Sequence, residues 1–247
     1  MSAEALSPSS PEVSIVVPVF NEEGAAGPLA EEIAAAFAGV PHEIVFVDDA
    51  SRDATRERLK ALQARLPQLR VLKHRSNSGQ SRAVRTGVLA ARGAIVVTLD
   101  GDGQNDPADA PRLVRALQDG SVTLALVGGE RVKRQDSAAK RWASRTANGI
   151  RKQLLNDQAD DTGCGLKAFR REAFLRLPYF DHMHRYLPAL IIREGYQVAF
   201  ERVGHRPRTT GASKYTNLGR LWASLSDLLG VMWLKTRFRD PGGADEL

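Results

Sequence analysis

In the stretch VVTLDGDGQNDP, Val96 to Pro107, apolar and β-compatible residues run straight into Asp100, Asp102 and Asp106. Asp100 and Asp102 are one residue apart, and Gly101 and Gly103 let the backbone turn sharply and approach a ligand closely. Two carboxylates so placed suit a hard divalent cation such as Mg²⁺ or Mn²⁺, which takes oxygen ligands and fills its other positions with water and phosphate oxygens. A solvated acidic turn accounts for the same letters when they stand alone. A second pair, Asp48-Asp49, ends another apolar run, where a carboxylate can accept hydrogen bonds from a nucleobase or a ribose. Asp106, followed by Pro107, reads instead as a helix cap with proline at the first helical position.

Short runs rich in Val, Ile and Leu must carry these acids: Ser14 to Val19, Glu43 to Val47, Arg70 to Lys73, Ala94 to Leu99 and Thr123 to Val127. Each is bounded by polar or Gly/Pro signals, as buried strands are. Helix-like segments lie between them: Glu22 to Ala38, Asp53 to Leu66, Ser81 to Ala91 and Pro107 to Gln118. This alternation predicts an α/β fold with a mostly parallel sheet covered by helices on both faces. Ligands bind outside the carboxyl ends of such strands, where Asn21-Glu22, Asp48-Asp49 and Asp100 to Gln104 fall. Gly79 to Ser81 open a helix after a strand and offer amides to an anionic group, although Gly and Ser there often serve only as caps.

After about Gly128 the pattern changes to Arg- and Lys-rich helix-like sequence, then DDTGCGLKAF, HMHRYLPALIIREG, a strand-like QVAFERV and a final helix from Asn217 to Arg237. With no linker-like stretch, residues 13–216 are expected to form one domain, followed by a helix over 217–239 and a tail over 240–247. Residues 1–12 lack the basic and apolar regions of a signal peptide and are expected to be a disordered leader.

At 247 residues and 43% hydrophobic content the chain can bury a substantial core. Thirty-five Lys and Arg against 29 Asp and Glu give a formal charge of +6, which suits anionic partners: phosphates, nucleic acid or an acidic membrane surface. Cys164 is the only cysteine, which excludes an internal disulfide and a thiolate metal cluster and favours a reducing compartment. No segment approaches the roughly 20 apolar residues that cross a bilayer.

The motifs VSIVVPVFNEE, EIVFVDDASRDATRERL, NSGQSRAVRTGVLAARGAIVVTLDGDGQNDP and GERVKR, in this order, resemble family 2 glycosyltransferases of the GT-A fold. The later HRPRTTGASKY is similar to the dolichol-phosphate mannose synthase-like branch, which glycosylates polyprenyl phosphates. The resemblance spans roughly Val13 to Trp233; Phe20 stands for the usual Tyr, Ala50 for the usual Gly, and Gly101 and Gly103 for the commoner Ala and Leu. It implies that Pro18, Glu22, Asp48 and Asp49 help bind the nucleotide, with Gly79 nearby. It further implies that Asp100 contacts ribose or metal, and that Asp102 and Gln104 position Mg²⁺ or Mn²⁺ on the donor diphosphate. Arg131 falls where the family places an acceptor-phosphate ligand, and Arg206, Arg208, Ser213 and Lys214 fall on its loop that closes over phosphates. Guanidinium forks suit phosphate oxygens. Asp161 is the best match to the family's candidate catalytic base, and Arg185 is a further phosphate-contact candidate. His182 and His184 have no assigned role. Lys133 and Arg134 follow Arg131 after the fifth strand, whereas Lys140, Arg141, Arg151 and Lys152 read as a solvated basic face.

In the last helix Leu218, Leu221, Trp222, Leu225, Leu228, Leu229, Met232 and Trp233 recur at three- and four-residue spacing, predicting one broad apolar stripe with a basic end at Lys235, Arg237 and Arg239. Packing on the core and an interfacial place on a bilayer are both compatible with it.

The leading expectation is an inverting transferase moving a sugar from a UDP- or GDP-sugar to a polyprenyl phosphate. It would work at the cytoplasmic face of a membrane, on the surface or through a membrane-anchored partner. Transfer to a hydroxyl of a saccharide or lipid is the alternative within the fold. A non-catalytic nucleotide-sugar or nucleic-acid binder is the alternative of another class. The acidic metal motif and the lack of aromatic-basic interleaving argue against it, so no nucleic-acid partner is expected. A dinucleotide-dependent dehydrogenase is disfavoured, since no G-x-G-x-x-G follows the first strand.

Overall fold

The computed structural model describes residues 10–132, 149, 151–207 and 217–239. The first half alternates as expected: β1 (Val13–Val19), α1 (Ala26–Ala36), β2 (His42–Asp48), α2 (Thr55–Leu62), β3 (Leu69–Lys73), α3 (Gln80–Ala90) and β4 (Ile95–Thr98). Asp106 caps a 3₁₀ turn, Pro107–Asp109, through Ala108 N–H, and α4 (Ala110–Asp119) and β5 (Leu124–Arg131) follow. Residues 151–155 are helical (α5). Then come β6 (Lys167–Arg170), α6 (Arg171–Leu175), a 3₁₀ turn Met183–Arg185, α7 (Leu187–Arg193), β7 (Gln197–Val203) and α8 (Asn217–Arg237).

The strands form one sheet in the order β3-β2-β1-β4-β6-β5-β7. β6 is antiparallel to both β4 and β5, and the other pairings are parallel. Along β1, Ile15 and Val17 join the apolar layer under α1, α2 and α4, while Val16 joins the layer under α3, α6 and α7. Burial on both faces explains why the strand is continuously apolar rather than alternating. β1 lies between β2 and β4, so the chain winds outward through β3 and then returns to the other side of β1. That reversal opens a crevice at the carboxyl ends of β1, β2 and β4.

Two features differ from expectation. The sequence pattern does not mark β6: KAFR is four residues long and follows a glycine-containing loop, yet it pairs Thr98 with Lys167 across the sheet. From Leu225 onward the last helix carries two apolar faces rather than one stripe, while the side chains of Leu218, Leu221 and Trp222 lie outside the described residues. Val231 is buried, and Leu228, Met232 and Leu234 pack with it against the α7 layer. Leu225, Leu229 and Trp233 point the other way and are 49%, 58% and 58% exposed. Contacts at the inner face fasten the helix: Asp227 Oδ2 lies 2.9 Å from His182 Nδ1, Arg193 Nε donates to Leu234 O at 3.0 Å, and Lys235 Nζ donates to Leu155 O. Of the expected leader, residues 1–9 lie outside the described residues, as does the tail 240–247, while Glu12 N–H already donates to Pro41 O at 2.8 Å.

Candidate active site

The loops leaving β1 and β2 are sewn together by side chains that serve the other loop's backbone. Asn21 N–H donates to Ser51 Oγ at 2.9 Å and Arg52 N–H donates to Asn21 Oδ1 at 2.7 Å. Glu22 N–H donates to Thr55 Oγ1 at 2.9 Å, leaving Glu22 almost fully buried. Beside this seam opens a cleft of about 500 Å³ lined by Phe20, Ala50, Arg52, Arg56, Arg75 and Asn77, among others.

Asp48 and Asp49 diverge at the end of β2, as successive strand residues must. Asp48 is fully buried; Oδ1 accepts from Ser51 N–H at 2.8 Å, and Oδ2 has no hydrogen-bond partner, its nearest cation being Arg56 at 4.0 Å. Asp49 accepts from Ser78 N–H at 2.9 Å and Gly79 N–H at 2.8 Å, with His74 Nδ1 at 2.7 Å. Asp49 therefore braces the loop between β3 and α3, and the anionic group that the Gly79 amide meets is this carboxylate. The same glycine has φ +85°, a conformation that a side chain would oppose.

At the mouth of β4, Asp100 and Asp102 are both partly buried. Gln80, the first residue of α3, donates its side-chain N–H to Asp100 Oδ1 at 2.8 Å. Gln104 N–H donates to Asp102 Oδ1 at 3.1 Å, and Asp100 N–H to Asn105 Oδ1 at 3.1 Å, which turns the loop back on itself. Burial and then the Asp102 charge push the Asp100 carboxyl above its ordinary pKa, with Lys167, Gln80 and Arg131 acting in the opposite direction. Two like charges crowded at a desolvated strand end fit a cation, and every donor is a hard oxygen ligand. No cluster of three or more His, Cys, Asp or Glu of metal-holding geometry occurs among the described residues. Asp100, Asp102 and the Gln104 amide would thus hold Mg²⁺ or Mn²⁺ only in part, leaving room for diphosphate oxygens and water.

Across the crevice, Arg131 ends β5 and grips Asp161 with two hydrogen bonds, Nε to Oδ2 at 2.6 Å and Nη2 to Oδ1 at 2.8 Å. Burial disfavours the guanidinium charge, but Asp161 outweighs it and raises the Arg131 pKa. The loop before Asp161 turns through Asn156 and Gln158, both at positive φ, and is tied down by Arg151 on Asp157 at 2.5 Å. Arg151 is thereby a buried structural residue, not part of a solvated face, whereas Lys152 and Asp160 form an exposed pair. Lys167 is buried beside Asp100 and Asp161 and donates to Cys164 O; desolvation lowers its pKa.

The remaining sequence candidates divide. Pro18 lies within β1, its carbonyl pressed against Gly101. Arg206 divides its fork between Glu32 at 2.6 Å and Asp106 at 2.8 Å, while its N–H donates to Gln104 O at 2.9 Å. It therefore ties residues 204–207 to the carboxylate loop. Arg185 sits on the 3₁₀ turn beside His184. Arg208, Ser213, Lys214, Lys133, Arg134, Lys140 and Arg141 lie outside the described residues. Sequence reasoning missed Gln80, His74, Lys167 and the arginines of the cleft. Only Gln80 carried a signal, as the first residue after the Gly79 that opens α3.

The family model described as Glycosyl transferase family 2 matches residues 14–177. The chain is 35% identical over 236 residues to a dodecaprenyl-phosphate galacturonate synthase of Rhizobium johnstonii, a match covering 94% of this chain and 69% of that protein. It is 37% identical over 224 residues to an undecaprenyl-phosphate 4-deoxy-4-formamido-L-arabinose transferase of Pseudomonas aeruginosa, covering 89% and 65%. The chain thus spans about two thirds of the length of these relatives. The solved structure of glucosyl-3-phosphoglycerate synthase from Mycobacterium tuberculosis, in complex with Mn²⁺, uridine diphosphate and glucosyl-3-phosphoglycerate, superposes with a TM-score of 0.69 at 20% identity. That match covers 95% of this chain and 82% of the other, and shows the shared GT-A fold. A sheet that reverses at a carboxylate-lined crevice and a match spanning β1 to α6 lead to one conclusion: the chain belongs to glycosyl transferase family 2.

Proposed function

We propose that this glycosyltransferase moves a sugar from a UDP- or GDP-sugar to a polyprenyl phosphate with inversion at the anomeric carbon. The nucleoside lies along the β1 and β2 loops, with Pro18, Glu22, Asp48 and Asp49 framing it. The diphosphate faces Asp100, Asp102 and Gln104. These residues would hold a divalent cation, which when bound would offset the charge that grows on the leaving diphosphate. The lipid phosphate oxygen forms the new bond from the face opposite the leaving group, and the nucleoside diphosphate departs with the electron pair of the bond it loses.

The observation that carries the acceptor class is the Arg131–Asp161 pair. A hydroxyl acceptor needs a base free to take its proton. Asp161 is instead bound in both oxygens by a guanidinium, which suits an anion that arrives already ionised. A phosphate monoester, with a second pKa near 6, is such an anion at neutral pH. The test is transfer from a panel of nucleotide sugars to short-chain polyprenyl phosphate and to the matching polyprenol. Transfer to the phosphate alone is expected, and equal transfer to the alcohol overturns the assignment.

A peripheral place on the cytoplasmic face of a membrane belongs to the same proposal, and the outward face of α8 supports the membrane contact. No helix among the described residues is long and apolar enough to cross one. Leu225, Leu229 and Trp233 share one exposed side, and the ring of Trp233 lies under Arg237 at 5.8 Å. An apolar side with a cationic end matches an anionic bilayer surface. Flotation with vesicles containing phosphatidylglycerol is expected and should be lost in Leu229→Ser/Trp233→Ser. Failure of the unsubstituted chain to float argues for a membrane-anchored protein partner instead.

A further inference from the structure

We propose that Gln80 is a positioning residue that orients Asp100 for the cation, held in place by the Ser81–His184 contact. The inference rests on the assignment of the carboxylate pair as a metal site.

Gln80 is gripped from both sides in sequence. Gly79 N–H is bound to Asp49 Oδ2 at 2.8 Å. Ser81 is buried; its Oγ lies 2.7 Å from His184 Nδ1 and accepts from His184 N–H at 3.3 Å. Desolvation lowers the His184 pKa well below the usual value, which favours the neutral ring and a hydrogen bond between Ser81 Oγ–H and Nδ1. With its neighbours tied to Asp49 and to the 3₁₀ turn, the first turn of α3 sets Gln80 beside the β4 exit, and its amide meets Asp100 Oδ1 at 2.8 Å.

Gly165 lies close against the same carboxylate, so that an added Cβ would stand 2.3 Å from it. The carboxylate is thus crowded by one neighbour and hydrogen-bonded at one oxygen before any ligand arrives, which lowers the ordering cost of binding. The chemistry of the donor matters as well. A primary amide offers a hydrogen bond without a full positive charge, so it holds Asp100 without competing against a cation, as a lysine would. His184, unassigned by its motif, acquires a role at one remove from the site.

The test is Mn²⁺ binding by electron paramagnetic resonance in the full chain, with folding checked by circular dichroism. Gln80→Met keeps the length and helix preference of the side chain but removes the donor. It should weaken Mn²⁺ affinity about tenfold, the lower end of the effect of losing a hydrogen bond behind a metal ligand. Saturating Mn²⁺ should restore its kcat, which damage to the fold alone would not permit. Ser81→Ala should weaken affinity in the same direction by about threefold, the scale of one neutral hydrogen bond. Asp102→Asn distinguishes the two layers of the argument. If it loses Mn²⁺ while Gln80→Met binds as the unsubstituted chain does, Gln80 has no positioning role. If Asp102→Asn itself binds Mn²⁺ unchanged, the metal assignment fails and this inference with it.

Discussion

The two sides of the crevice handle charge in opposite ways. On the β1–β4 side, carboxylates are held chiefly by uncharged donors: Asp48 by Ser51 N–H, Asp49 by Ser78 and Gly79 N–H, Asp100 by the Gln80 amide. Toward β5 and β7, guanidinium groups are held by carboxylates: Arg131 by Asp161, Arg206 by Glu32 and Asp106, Arg112 by Glu201. The first arrangement keeps negative charge available to a cation. The second keeps positive charge fixed in direction and partly neutralised, so that an anion meets an ordered fork rather than a mobile one. A transferase that moves a sugar from a nucleoside diphosphate to a phosphate acceptor, as proposed above, is served by both kinds of surface facing each other.

The largest effect that bears on this contrast comes from Asp102→Asn, which removes charge from the acidic side. Transfer should fall by on the order of a hundredfold or more, as for loss of a group stabilising transition-state charge. Chelation of the unsubstituted enzyme should do the same and be reversed by added Mn²⁺. Full activity in excess chelator would show that the acidic side works without a cation.

Gly165→Ala probes the same side without changing any charge. Its Cβ would meet the Asp100 carboxylate at 2.3 Å, so the carboxylate must move. A displacement of about 1 Å near the chemistry costs up to a hundredfold in rate. The variant should melt like the parent yet lose turnover and Mn²⁺ affinity together. Normal kinetics would mean that Asp100 need not sit where the structure has it.

Asp161→Asn tests the basic side. The asparagine cannot pair with both nitrogens of Arg131 as a carboxylate does, so the fork loses its alignment. With a phosphate acceptor, the expected result is a raised KM for polyprenyl phosphate and about a tenfold loss of kcat/KM, the scale of one charge-assisted hydrogen bond. A loss equal to that of Asp102→Asn, with folding intact, would identify Asp161 as a base and return the hydroxyl acceptor to first place.

The same contrast separates what could be read from the chain and what could not. β1, β2 and β4 were legible because burial on both faces makes them nearly continuously apolar, β3 because Leu69, Val71 and Leu72 stand out between polar segments, and Asp48, Asp49 and Asp100 to Gln104 because acids at strand exits break the apolar runs. Partnerships across the fold were not. Arg206 and Glu32 are 174 residues apart, and nothing local in HRPR announces that its first arginine is tied by acids. β6 escaped notice because KAFR opens and closes on basic residues and shows no apolar run, and Lys167 with it, since its burial follows from pairing opposite Thr98. The α8 pattern of three- and four-residue spacings identified a helix, but only its contacts with His182, Arg193 and Leu155 decide which apolar residues face inward.

The smallest expected effect concerns the cost of shaping the acidic side. Two residues flanking the cleft have left-handed backbones, Asn21 at φ 52° and Ala50 at φ 65°. Asparagine tolerates that conformation, and Asn21 repays it with hydrogen bonds to the β2 loop. Alanine does not, at a cost of roughly 1–2 kcal/mol, of which glycine would recover about half after its own loss of chain entropy. Ala50→Gly should therefore raise stability by up to about 1 kcal/mol, or a few degrees in Tm for a chain of this size. If the strained turn merely closes the loop, donor KM stays where it was. If Ala50→Gly is more stable but binds the nucleotide sugar less tightly, the alanine methyl in the cleft is itself a contact, and strain has been kept there for the sake of binding.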